Sequence, residues 1–189
     1  MGNFQGRKTV FIGGGRMGEA IFSGLLSSGS IKPENLTVMD VFEPRLKQLE
    51  ETYHMRAMVS TEENLRSVLS EAEVVVFSVT PQMADRVLSQ VAPMLEKGKH
   101  TVISIMGGVE LKFLEKYIPD VAVVRVMPNT PALIHEGAAG IALGTNASEE
   151  DGGIALDIFN SVGIAYLLPE SLIDPLTSVS GCGPAYAYL

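Results

Sequence analysis

Residues Gly13-Gly14-Gly15-Arg16-Met17-Gly18 follow directly on the apolar run Thr9-Val10-Phe11-Ile12. This is G-x-G-x-x-G, which carries meaning when a strand feeds it and a helix leaves it within a βαβ unit. Beyond the turn, Met17, Ala20, Ile21, Gly24 and Leu25 recur at helical spacing, and a second apolar run ends in Asp40. In that setting the first glycine permits the tight turn and the second lets backbone approach a pyrophosphate. The third lets helix and strand pack closely. The N-terminus of the helix then presents its free N–H groups to the phosphates. The pattern predicts a dinucleotide site built on Gly13, Gly14, Gly15, Arg16, Met17 and Gly18. The plainer alternative is a Gly-rich turn that binds nothing.

The rest of the chain keeps the same rhythm of short apolar strands and amphipathic helices. Strands are expected at Lys8–Ile12, Leu36–Asp40, Met55–Val59, Val74–Val79, Thr101–Ile105 and Val121–Val126, with two more at Gly140–Leu143 and Ile164–Leu168. Helices are expected at Arg16–Ser27, Pro44–Tyr53, Glu62–Leu69, Gln82–Val91, Glu110–Tyr117 and Glu149–Ser161, with Thr61 or Ser60 capping the third. Val74-Val75-Val76-Phe77 is apolar throughout, as a strand covered on both faces must be. The fold class is therefore α/β, a Rossmann-type doubly wound parallel sheet with helices on both faces. Near the end, Ser180-Gly181-Cys182-Gly183-Pro184 reads as a loop, with Pro184 at the first position of a helix that begins Ala185-Tyr186-Ala187-Tyr188-Leu189. An apolar, uncapped turn of that kind implies a chain truncated within a helical part.

Charge and cysteine content narrow the function classes. The net charge of −8 comes with no basic cluster, which argues against a nucleic-acid partner. A single cysteine, Cys182, leaves no internal disulfide and suits a reducing, cytoplasmic compartment. His54, His100 and His135 are scattered, so no metal site is read. The apolar runs are of strand length, so no membrane span is expected, and the first eight residues lack the apolar core of a signal peptide.

Three loops after strands hold the candidate chemistry. Asp40 lies about twenty residues past the glycines, where an acid accepts hydrogen bonds from the adenosine ribose. That tilts the reading toward NAD, although Arg45 stands close enough to receive a 2′-phosphate, and a strand-end turn residue is the simple alternative for Asp40. Val79-Thr80-Pro81-Gln82 ends the fourth strand where ligands sit in open α/β sheets, or is an ordinary Thr-Pro terminator. Met127-Pro128-Asn129-Thr130-Pro131 holds Asn129 in a braced loop, its amide able to meet a nicotinamide or ribose. A Pro-braced crossover is an equal reading. No His, Lys or Tyr stands out as the proton donor that carbonyl reduction calls for. A cyclic imine, protonated before hydride arrives, needs positioning more than an acid.

These residues resemble the pyrroline-5-carboxylate reductase family over nearly the whole chain. The resemblance rests on Ile12-Gly13-Gly14-Gly15-Arg16-Met17-Gly18-Glu19-Ala20-Ile21, on Arg125-Val126-Met127-Pro128-Asn129-Thr130-Pro131-Ala132, and on Asp174 through Ser180-Gly181-Cys182-Gly183-Pro184-Ala185-Tyr186. It implies a dinucleotide-binding domain over residues 1–168, and over 169–189 the start of a helical dimerisation domain whose substrate pocket draws on a second copy. The implied reaction is hydride transfer from NAD(P)H to 1-pyrroline-5-carboxylate, giving L-proline. Carried over by position, the glycine motif and Asn64 touch the dinucleotide. Ser78, Val79, Thr80 and Pro81 line the nicotinamide side, with Asn129 nearby. Ser180, Gly181, Cys182 and Gly183 receive the substrate carboxylate through backbone N–H groups. Glu170 matches an acid facing the imine nitrogen, with a solvated surface glutamate the equal alternative. Three departures stand at the site: Thr80 where the family has Lys, Cys182 where it has Ser, and Met106-Gly107-Gly108 where it has Ala-Ala-Gly. They keep open a regulatory paralogue without turnover or a reductase of a related cyclic imino acid. A β-hydroxyacid-type carbonyl reductase shares the glycine motif but not the Asn129-Thr130-Pro131 and Ser180–Pro184 segments.

Overall fold

The computed structural model describes residues 4–187; Tyr188 and Leu189, assigned above to a terminal helical turn, lie outside the described residues. Eight strands form one sheet: β1 (Thr9–Ile12), β2 (Leu36–Asp40), β3 (Arg56–Val59), β4 (Val74–Phe77), β5 (Thr101–Ser104), β6 (Ala122–Met127), β7 (Gly137–Leu143) and β8 (Gly163–Leu167). Their spatial order is β3-β2-β1-β4-β5-β6-β7-β8. β1 therefore pairs with β2 on one side and β4 on the other, Thr9 standing opposite both Leu36 and Val74. The chain reverses its winding direction at this point, and a crevice opens beyond the carboxyl ends of β1 and its neighbours.

Side-chain alternation along β1 divides the core in two. Phe11 joins Ile21, Phe22, Leu25, Leu46 and Leu49 on the face covered by α1 (Arg16–Ser27) and α2 (Glu43–Tyr53). Val10 and Ile12 join Leu65, Leu69, Leu88 and Leu114 on the other face, under α3 (Glu62–Glu71), α4 (Ala84–Val91) and α5 (Leu111–Tyr117). Every residue of β1 and β4 is buried, which is why their sequences are apolar at consecutive rather than alternate positions. Phe11, Phe22 and Tyr53 stack edge to face, with centroids 5.5 Å apart at both steps. Thr61 caps α3 by accepting from the Asn64 N–H at 3.2 Å. Ser148 and Asp151 form a reciprocal capping box on α6 (Glu149–Asn160).

The sheet is not wholly parallel, as the sequence had suggested. Strands β1 to β6 run parallel, β7 runs antiparallel to β6, and β8 returns parallel to β7. Residues 128–136 hold only a short 3₁₀ segment, Thr130–Ile134, and fewer than a dozen connecting residues cannot carry a parallel crossover. The other correction concerns Ser180–Pro184, which is not a loop. After a 3₁₀ turn at Glu170–Leu172, α7 (Ile173–Leu176) runs into a wide π turn at Thr177–Gly181 and then into α8 (Gly183–Ala187). Thr177 and Ser178 donate their hydroxyls back to Ile173 O and Asp174 O, at 2.7 and 3.1 Å. The Cys182 N–H reaches Thr177 O at 2.9 Å, five residues back. Pro184 has no N–H to give the preceding turn, and Ser180 O instead faces the Asn129 side-chain amide at 3.4 Å.

Candidate dinucleotide cleft

The glycine turn is held from three sides. Gly13 sits at φ +111°, and a Cβ there would lie 2.8 Å from Ser78 O; a left-handed backbone pressed against a neighbouring carbonyl admits glycine and little else. Ser78 locks this approach by donating its hydroxyl to Gly13 O at 2.7 Å. At Gly18 a Cβ would meet Ser78 Oγ at 3.0 Å and Gly13 O at 3.1 Å, which gives the close packing of α1 against the turn. Gly15 is different. Its φ of −70° and ψ of 174° are ordinary extended backbone, and nothing lies within 4 Å of where its Cβ would stand. As N-cap of α1 it offers no side-chain acceptor, so the first-turn N–H groups of a twelve-residue helix face open space at the crevice.

A cleft of about 480 Å³ opens there. Of the residues singled out from sequence, Gly13, Gly15, Asp40, Ser78, Val79 and Thr80 line it. Gly14 lies behind the turn, where a Cβ would point at Leu49 and Val38. Met17 is half-buried against the core and Arg16 is exposed on the first turn of α1. Asn64 is not on the cleft wall: its amide donates to Val59 O at 2.9 Å, and Ser60 and Leu65 line the cleft in its place. Pro81 faces a neighbouring hollow with Gly108 and Phe113. Sequence reasoning missed one wall of the cleft. Met83, Arg86, Val87 and Gln90 all line it, and their i, i+3, i+4, i+7 spacing along α4 and the turn before it was the available signal.

Two charged candidates are already engaged. Asp40 Oδ2 accepts the Gly14 N–H at 2.7 Å. Its Oδ1 accepts the N–H groups of Val41 at 2.7 Å and Phe42 at 3.1 Å. The carboxylate thus closes the turn after β2 and steadies the glycine loop, while still facing the cleft. Arg45 is not a free phosphate ligand. Its Nε donates to Gly14 O at 2.9 Å, Nη1 to Gln48 at 3.0 Å and Nη2 to Glu19 at 2.5 Å, so it braces the loop from behind. Glu19 also receives the Tyr53 hydroxyl at 3.0 Å. Burial, together with that hydrogen bond, holds the Tyr53 phenol above its usual range.

The remaining predicted residues gather elsewhere, between the far side of the sheet and the C-terminal helices, and none lines this cleft. Asn129 is held in place, its Oδ1 accepting the Ala138 N–H at 2.8 Å and its Nδ2 donating to Ser180 Oγ at 3.0 Å. Glu170 is one-third exposed, and one of its carboxylate oxygens is engaged. Its Oε1 accepts the Leu111 N–H at 2.7 Å and Arg125 Nη1 at 3.0 Å. Arg125, only 4% exposed, gives its other arm to Asp174 at 2.9 Å. Ser180 is half-buried beside Asn129, while Cys182 is an exposed free thiol. Among the described residues no group of His, Cys, Asp and Glu is arranged to hold a metal ion, and no helix is long and apolar enough to cross a membrane.

Residues 8–108, just over half of the chain, match the family described as NADP oxidoreductase coenzyme F420-dependent. The chain is 41% identical to a pyrroline-5-carboxylate reductase of Methanosarcina acetivorans over 97% of its own length and 67% of that protein's. Among solved structures, a pyrroline-5-carboxylate reductase of Coxiella burnetii superposes with a TM-score of 0.89 at 29% identity, covering 96% of this chain and 66% of that one. A pyrroline carboxylate reductase of Plasmodium falciparum with NADP bound gives 0.84 at 32%, covering 98% and 66%. The chain thus spans about two thirds of the length of the relatives it matches. Glycine loop, strand order and similarity along almost all of its length agree, and the chain belongs to the pyrroline-5-carboxylate reductase family.

Proposed function

We propose that the chain is the dinucleotide-binding part of an NAD(P)H-dependent reductase acting on the C=N bond of 1-pyrroline-5-carboxylate to give L-proline. One observation carries the reading: in a member of this family, the uncapped N-terminus of α1 and the open face of Gly15 meet a cleft of about 480 Å³ at the sheet's switch point. Bound NAD(P)H would supply the hydride. The α1 N–H groups and the Gly13–Gly15 backbone hold the pyrophosphate. Asp40 accepts from the adenosine ribose through lone pairs left after its three backbone bonds. Val79 and Thr80 shape the wall where the chain turns out of β4. Ser180 to Gly183 receive the substrate carboxylate, with Asn129 and the Arg125–Glu170–Asp174 cluster holding that segment on the sheet. A protonated imine takes hydride at carbon with no further proton needed at nitrogen, so positioning is what the residues must supply.

The same reading places the protein in a reducing cytoplasm, acting on a small molecule, with no nucleic-acid or membrane partner, and paired with a second copy that helps complete the substrate pocket. Oxidation of NADPH or NADH on adding 1-pyrroline-5-carboxylate, followed by absorbance, is the test. Cofactor binding with no oxidation would instead favour a regulatory relative, the reading motivated by Thr80 on the cleft wall and by Cys182.

A further inference from the structure

The glycine turn is held from behind by a row of side chains that do not line the cleft. Phe22 packs edge to face on Tyr53, with centroids 5.5 Å apart. Tyr53 donates its hydroxyl to Glu19 Oε1 at 3.0 Å, and Glu19 Oε2 receives Arg45 Nη2 at 2.5 Å. Arg45 then donates Nε to Gly14 O at 2.9 Å. None of these four side chains lines the cleft, and those of Glu19 and Arg45 are only 29% and 21% exposed. The other end of Gly14 is held too, its N–H donated to Asp40 Oδ2 at 2.7 Å. The consequence falls on the next residue. No peptide bond among the described residues is cis, and in a trans peptide the C=O and the following N–H point in opposite directions. With Gly14 O drawn back to Arg45, the Gly15 N–H points away from that arginine. Gly15 lines the cleft, and its N–H has no partner among the described residues. A cation on the carbonyl also polarises the peptide and strengthens its N–H as a donor. Charge alone works the other way at Glu19, because an acid in the first turn of α1 disfavours an anion at the same helix end.

We infer that Glu19 and Arg45 are positioning residues for the reductase: by holding Gly14 O behind the turn they aim the Gly15 N–H at an entering dinucleotide, and so set how tightly it is held. This rests on the dinucleotide reading above. Neither side chain touches the ligand. Arginine suits the task because its planar fork serves Gly14, Gln48 and Glu19 at once, which the single ammonium of a lysine cannot do in the same directions.

The test is titration calorimetry with NADPH and NADH, together with amide NMR, on the wild type, Glu19→Ala and Arg45→Lys. Positioning predicts that both variants bind both cofactors roughly tenfold more weakly, the worth of one charge-assisted hydrogen bond, with NADPH and NADH affected alike. The Gly15 amide resonance should move in each ligand-free variant, and in the wild type it should move again on saturation with either cofactor. Glu19→Ala removes an acid, so tighter binding by that variant would show that charge and not aim governs the site. Arg45→Lys keeps the cation and loses the fork, so wild-type affinity there would show the same. Either result overturns the inference, as does unchanged binding by both variants whatever happens to their Tm. Should a variant fail to fold, the wild-type spectrum decides: a Gly15 amide that stays still while NADPH saturates the protein refutes the aim. A wild type that binds neither NADPH nor NADH would sink the dinucleotide reading itself, and this inference with it.

Discussion

Replacing Gly15 by valine separates what the glycine loop does for the fold from what it does for a ligand. The backbone at Gly15, φ −70° and ψ 174°, is one a β-branched residue adopts freely, and no atom lies within 4 Å of the new Cβ. The folding cost is then only that of a poor N-cap, about 1 kcal/mol, or ~2–4 °C in Tm for a domain of this size. Binding is another matter, because the side chain would occupy the place where a pyrophosphate approaches the backbone. Loss of two charge-assisted hydrogen bonds at about 1.5–3 kcal/mol each gives ~3–6 kcal/mol, a weakening of roughly 100-fold or more. Thermal melting and calorimetry with NADPH and NADH measure the two terms independently. Gly13→Ala serves as the contrast. With φ +111° and a Cβ 2.8 Å from Ser78 O, it should lose stability first, by about 1–3 kcal/mol for the backbone alone. A Gly15→Val protein that melts within a few degrees of wild type and binds cofactor within about threefold would falsify the assignment of this loop to the pyrophosphate.

Arg45→Gln removes the brace behind the loop, so it should weaken NADPH and NADH alike and lower Tm by a few degrees; a change in the ratio of the two affinities would return Arg45 to the phosphate site. Arg125→Met should loosen the C-terminal helices from the sheet at a cost of about 1–3 kcal/mol, seen as faster hydrogen exchange in residues 170–181, and unchanged exchange there would refute the anchoring role. Asp151→Asn should lower Tm by a few degrees at neutral pH by opening the capping box. Burial pushes the Asp151 carboxyl up, but hydrogen bonds from Ser148 and Thr101 outweigh it and bring the group below its ordinary 3.8. A depressed carboxylate stabilises above that value and loses its contribution as pH falls through the lower folded one. The Tm gap between variant and wild type should therefore close in acid, and a gap that widens below pH ~4 would contradict it.

How far this molecule could be read from its sequence depended on the range of the interaction involved. The bounds of α1 and β2 fall at Arg16–Ser27 and Leu36–Asp40, as apolar spacing and local turn chemistry indicated, because both signals lie within the element itself. The start of β7 was missed: Gly137-Ala138-Ala139 carries no bulky apolar residue, and the strand is recognisable only through its pairing with Gly163, Ile164 and Ala165. Its antiparallel direction follows from the short connection after β6, a property of spacing between elements. Residues 180–184 looked like a loop by composition, yet the Thr177 and Ser178 hydroxyls and a π turn carry the helix through.

The same division explains which of the singled-out residues the fold brings to the cleft. Gly13 and Gly15 reach it through backbone conformation, which their spacing already indicated, and Ser78, named from the resemblance, meets them by close approach. Asn129 and Arg45 were assigned by what their side chains could do and Glu170 by the resemblance, and each is engaged by a partner distant in the chain: Ser180, 51 residues away, Glu19, 26 away, and Arg125, 45 away. A polar side chain read from sequence has no partner by construction, so every such residue looks available. The fold removes most of them from the list by pairing them. Arg86 drew no notice in the sequence because a lone arginine on an amphipathic helix is ordinary. In the structure it is the charged residue on the cleft wall left without a partner among the described residues, while Arg45 and Asp40 are held in place. The two arginines should therefore act differently on an anionic ligand entering the cleft: Arg86 through its charge, which salt screens, and Arg45 through the turn that it holds.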